Sequence, residues 1–136
     1  MKTVLIVDDA MTVRLYHREL MQALGHHVIE AENGMEALER MVDTDIDLML
    51  VDVNMPKMDG YRFAQAVRSD ERLGSTPIVM ISTESQYHDR ERAFSAGANL
   101  YLIKPTEPEH LQQLVTLLLV DPPGPEEVAQ APGGVA

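Results

Sequence analysis

The chain has 136 residues, no cysteine and a formal net charge of -11, the size of one compact domain that buries roughly two-thirds of its unfolded surface. Zero cysteines exclude a disulfide framework and thiolate chemistry, and an acidic chain without clustered Lys and Arg lacks the footprint for direct nucleic-acid binding. No apolar run reaches the roughly 20 residues that span a bilayer, and Lys2 is soon followed by Asp8 and Asp9 instead of a long apolar stretch, so a cytoplasmic protein without membrane insertion is expected.

Val4 to Val7 is a short apolar run that predicts the first strand. Val13, Tyr16, Leu20 and Leu24 then recur at helical spacing, predicting a first helix from Met11 to Leu24 closed by Gly25. The same reading gives a second strand over His27 to Glu30 and a second helix over Gly34 to Val42. A third pair follows at Leu48 to Val51 and Tyr61 to Asp70, a fourth at Ile78 to Ile81 and Gln86 to Ala96, and a fifth at Leu100 to Ile103 and Pro108 to Val120. Strands one, three and four are nearly continuous apolar runs, as expected when both faces of a sheet are covered by helices. The alternation predicts an α/β protein with a doubly wound parallel sheet in a single domain over residues 1–120. From Asp121 the composition changes to DPPGPEEVAQAPGGVA. A Pro/Gly-rich acidic stretch like this has little to bury, and residues 121–136 are expected to be a disordered tail.

Ligand sites in doubly wound sheets form outside the carboxyl ends of the strands. That rule collects Asp8 and Asp9 after strand one, Asp52 after strand three, Ser82 after strand four and Lys104 after strand five. Any one of these alone reads as a helix cap or a surface residue. Their joint placement is harder to assign to chance. Three carboxylates on one rim repel each other, so the site must raise a pKa or hold a cation, and an all-oxygen donor set favours Mg²⁺ over zinc or copper. Mn²⁺ could substitute. A lysine beside the acids and a serine hydroxyl suit phosphoryl oxygens.

The segments VLIVDDA, LMLVDVNMPKMDG, PIVMISTES and YLIKP, in this order and at these intervals, resemble the receiver domains of two-component response regulators over residues 1–120. The resemblance implies a flavodoxin-like (βα)5 fold with strand order 2-1-3-4-5. It also implies that Asp52 accepts a phosphoryl group from a sensor histidine kinase or a phosphotransfer protein. Asp9 would bind Mg²⁺ directly, Asp8 through a bound water, and the Asn54 backbone carbonyl would be a further ligand. Lys104 would pair first with Asp52 and then with the phosphoryl group. Ser82 would be the switch hydroxyl, and Tyr101 the aromatic whose ring turns inward when the Ser82 loop moves. Asn54 and Glu84 are similar to the pair found in chemotaxis-type regulators and imply a phosphoryl group lasting seconds to minutes. Thr83 stands where many receivers carry Ala or Gly, with an effect on donor access or hydrolysis left open. Lys104 and Pro105 match a step at which a cis bond is common.

Helix five carries Leu111, Leu114, Val115 and Leu118 on one stripe, with Leu117, Leu119 and Val120 on other faces. The surplus points to a surface for a downstream target or a homodimer, which the resemblance places near helix four, strand five and helix five, or else to packing by the tail or a frayed last turn. Rival functions fare worse. A calcium loop over DVNMPKMDG would place Pro56 at a ligand position and Phe63 where a bidentate Glu is needed. An aspartate-nucleophile phosphatase wants a second acid where Asn54 stands, and nucleotide-binding glycine loops are missing. The domain is therefore expected not to be a turnover enzyme. A scaffold receiver that is never phosphorylated, or the N-terminal fragment of a longer regulator, are the remaining alternatives.

Overall fold

The computed structural model describes residues 1–120, so the expected tail lies outside the described residues. The strands are β1 (Thr3–Val7), β2 (His27–Ala31), β3 (Leu48–Asp52), β4 (Ile78–Ser82) and β5 (Leu100–Ile103), all paired in parallel in the order β2-β1-β3-β4-β5. The helices are α1 (Met11–Ala23), α2 (Gly34–Met41), α3 (Gly60–Arg68), α4 (Tyr87–Ala96) and α5 (Pro108–Leu118). This is the flavodoxin-like fold that the sequence predicts.

Side chains alternate across the sheet and build two cores. Val4, Ile6, Leu48, Leu50, Val79 and Ile81 face one way and pack with Met21 of α1 and Leu111 and Val115 of α5. Leu5, Val7, Met49, Val51, Ile78 and Met80 face the other way, against α2, α3 and α4 through Ala37, Phe63, Val67 and Ala93. Covering both faces explains why the central strands read as continuous apolar runs.

Helix ends follow local chemistry. Asn33 accepts a hydrogen bond from the Glu36 amide, and Asp59 accepts one from the Arg62 amide, to start α2 and α3. Glu107 caps α5 with Pro108 in its first turn. Gly25 follows α1 at φ 88°, a left-handed backbone that glycine adopts without cost. The predicted ends are one or two residues off: Leu24, Val42 and Ser69 are C-caps, Gln86 is the N-cap of α4, and α5 stops at Leu118.

One expectation about α1 is corrected. Val13, Tyr16, Leu20 and Leu24 are only half-buried, and the buried line is Arg14, His17 and Met21. The centre of the buried face therefore lies beside the predicted stripe, with Leu20 and Leu24 still packed against the core next to Met21. Its two polar buried side chains lie at the end that meets the strand tips.

Candidate phosphoryl-acceptor site

The carboxyl ends of β1, β3, β4 and β5 bring the predicted residues together. One carboxylate oxygen from each of Asp8, Asp9 and Asp52 lies within 4.8 Å of the others. Asp8 and Asp52 are buried and Asp9 is exposed. Lys104 reaches across the rim, its Nζ donating to Asp8 Oδ2 at 2.9 Å and to Asp52 Oδ1 at 3.0 Å.

The electrostatics follow from this crowding. Burial, with the nearby negative charge of Asp8, pushes the Asp52 carboxyl up to about 6, a rise that the Lys104 hydrogen bond only partly offsets. For Lys104, burial favours the neutral amine, but its hydrogen bonds to Asp8 and Asp52 outweigh that and raise its pKa. The lysine therefore stays charged among the acids. The donor set is hard oxygen on one open edge, with Asp9 reaching solvent, and it fits a divalent cation of the Mg²⁺ type.

The remaining predicted residues surround this centre. Ser82 is buried at the end of β4, and its Oγ accepts the Glu84 amide at 3.0 Å. Thr83 and Glu84 are exposed in the β4–α4 loop, and Asn54 is exposed just past β3. Tyr101 is buried on β5, its ring already turned inward and its hydroxyl donating to the Glu84 carbonyl at 2.7 Å. The Lys104–Pro105 bond is cis, as expected.

Sequence reasoning missed three supports of the site. Arg14 Nη1 donates to the Asp8 carbonyl at 2.7 Å while its Nε pairs with Glu30 at 3.0 Å, tethering the acidic β1–α1 loop to β2. Gly60 packs so closely under β3 that an added Cβ would sit 2.5 Å from the Asp52 carbonyl oxygen. Thr106 is held by two side chains of α1, Tyr16 and His17. The only signal in the sequence was a pair of polar residues three apart, Arg14 and His17, beside the apolar stripe.

Comparison with known proteins agrees with this geometry. The model of the response regulator receiver domain matches residues 4–116. Chemotaxis protein CheY1 of Helicobacter pylori is 38% identical over 117 residues, covering 85% of this chain and 94% of that protein. The sensor histidine kinase CheAY of the same organism is 38% identical over 114 residues, covering 82% of this chain and 14% of that protein. The solved structure of Vibrio cholerae chemotaxis protein CheY4 superposes with a TM-score of 0.83 at 35% identity, covering 88% of this chain and 99% of that one. Among the described residues no helix is long and apolar enough to cross a membrane. The chain belongs to the response regulator receiver domain family.

Proposed function

We propose that this receiver takes a phosphoryl group on Asp52 in a Mg²⁺-dependent reaction and uses it to switch a partner-binding surface. The observation that carries the reading is the Lys104 ammonium shared between Asp8 and Asp52 beside an exposed Asp9. The donor would be a phosphohistidine of a sensor histidine kinase or phosphotransfer protein. A segment similar to this chain within a protein named as a sensor histidine kinase supports that class of partner.

In the transfer, an Asp52 carboxylate oxygen forms a bond to phosphorus as the phosphorus–nitrogen bond of the donor breaks. The imidazole departs with the bonding electron pair. Asp52 attacks as an anion, so no protein general base is needed. Asp9, Asp52 and the Asn54 carbonyl would hold Mg²⁺ directly and Asp8 through a water, and the ion would supply positive charge against the transferring oxygens. Lys104 exchanges its Asp52 contact for a phosphoryl oxygen, and the Ser82 hydroxyl donates to another. Drawing Ser82 inward shifts the Glu84 amide and with it the loop that Tyr101 holds. Asn54, Thr83 and Glu84 border the path of the water that later hydrolyses the acyl phosphate and so tune its lifetime.

The output surface is α4, β5 and α5, where Tyr87, Phe94 and Leu117 are exposed. Large exposed side chains on these elements suit a downstream protein or a second copy. The test of the central claim is incubation with a small phosphodonor and Mg²⁺. A mass gain of one phosphoryl group that disappears in Asp52→Ala is expected. No gain under any condition would make the chain a scaffold receiver.

A further inference from the structure

The turn that carries Lys104 is held from two sides. On one, the Lys104 amide donates to the Ser82 carbonyl at 2.8 Å, continuing the β4–β5 ladder. On the other, α1 supplies two hydrogen bonds to Thr106. The Tyr16 hydroxyl donates to the Thr106 carbonyl at 2.7 Å, and His17 Nε2 lies 3.1 Å from Thr106 Oγ1. His17 and Thr106 are both buried.

Packing does not explain this arrangement. A cavity of about 470 Å³ opens between α1 and the turn, lined by Tyr16, His17, Thr83, Lys104 and Thr106. The cleft is open to solvent, so contact between α1 and the turn beside it rests on the Tyr16 and His17 side chains. A buried imidazole also costs free energy that an apolar side chain of similar volume would not. Burial pushes its pKa down to about 4, so the ring is neutral near pH 7 and bonds Thr106 as a dipole. A satisfied buried polar pair of this kind fixes one geometry, and leaving either member unpaired is costly.

We infer that His17 is a positioning residue: through Thr106, and together with Tyr16, it sets the turn so that the Lys104 ammonium spans Asp8 and Asp52. This rests on the phosphoryl-acceptor reading for its consequence in rate, but not for its geometry. Loss of the imidazole bond lets the turn relax into the cavity and takes Nζ off its two carboxylates. Small displacements of a charge-stabilising group slow a transfer steeply.

The test compares His17→Leu, Thr106→Val and His17→Gln with the unaltered chain. Glutamine can place its terminal amide near the position of Nε2 and is the rescue. In the unaltered chain the ¹H–¹⁵N signal of the Lys104 ammonium should be visible, because two buried carboxylates slow its exchange with water. His17→Leu and Thr106→Val should broaden it away, and His17→Gln should retain it. Phosphorylation by a small phosphodonor should slow about tenfold in the first two variants, with an unchanged Mg²⁺ concentration for half-maximal rate. A urea midpoint below that of the unaltered chain should accompany this in His17→Leu, because the buried Thr106 hydroxyl loses its partner. Thr106→Val removes the same bond from the other side should His17→Leu fold poorly. An ammonium signal unchanged in either variant overturns the proposal, as does slowing that His17→Gln fails to restore. If the unaltered chain accepts no phosphoryl group, the Asp52 reading fails and the ammonium signal alone decides this one.

Discussion

Lys104 Nζ sits 3.0 Å from an Asp52 oxygen, with 17% of its side chain exposed, and the same ammonium is 2.9 Å from Asp8. One cation thus serves two buried carboxylates. Removing it in Lys104→Met leaves both acids buried without that charge, which costs about 3 kcal/mol for a pair of this burial. A divalent cation replaces the missing charge. Urea unfolding near pH 8 is expected to show the full loss without Mg²⁺ and a smaller one at saturating Mg²⁺. An equal loss with and without the metal would separate the lysine from the metal-binding acids.

The raised pKa of Asp52 makes stability depend on pH in a defined direction. Its folded value of about 6 exceeds the ordinary 3.8, so the native state holds the proton more tightly than the unfolded chain. This contribution is fully present below about 3.8 and is lost as pH rises through about 6. Asp52→Asn cannot titrate and should gain on the unaltered chain by about 2 kcal/mol between pH 4 and pH 7.5 in metal-free buffer. Mg²⁺ binds the native anion and should reduce the gap. The phosphorylation rate should run the other way, falling as pH drops because the nucleophile is lost. Parallel pH profiles for Asp52→Asn and the unaltered chain would mean that the carboxyl is not perturbed.

The fold and the acidic centre were legible because each rests on a short pattern. Leu48 to Asp52 is an apolar run ending in an acid, and a strand covered on both faces leaves few other places for it. The supports were not legible because they depend on phase and on close approach. Periodicity in α1 located a helix and part of its packed face, Leu20 and Leu24, but gave no reason to bury Arg14 and His17 beside them. The sequence assigned Gly60 no role, and only the packing of α3 under β3 shows why a side chain is excluded there.

The β3–α3 loop carries two backbone constraints of opposite sign. At Gly60 an added Cβ would meet the Asp52 carbonyl oxygen at 2.5 Å and the Val53 Cα at 2.9 Å, backbone atoms that cannot move aside alone. Gly60→Ala is expected to cost about 3 kcal/mol and to slow phosphorylation by displacing the end of β3. Lys57, by contrast, holds a left-handed backbone at φ 69° with a side chain that disfavours it. Lys57→Gly relieves that and should stabilise by about 1 kcal/mol, allowing for the greater freedom of glycine when unfolded. Thermal unfolding of the two variants should shift in opposite directions.

The β4–α4 loop is tied down by a chain of two hydrogen bonds. Tyr101 Oη donates to the Glu84 carbonyl, and the Glu84 amide donates to Ser82 Oγ. The ring is 5% exposed, and Arg90 stacks its guanidinium 5.3 Å from the ring centroid. Tyr101→Phe keeps the ring and its Arg90 contact while deleting the first bond. The expected cost is about 1 kcal/mol, that of one hydrogen bond at a partly wet site. Openings of the loop that break this bond should become easier by about that cost, while local openings elsewhere that leave it intact should not. Native-state hydrogen exchange at the Glu84 amide should therefore quicken while amides of α2, whose local openings leave this bond intact, do not. Equal acceleration at both would mean that the hydroxyl supports the fold as a whole and not the loop that bears Ser82.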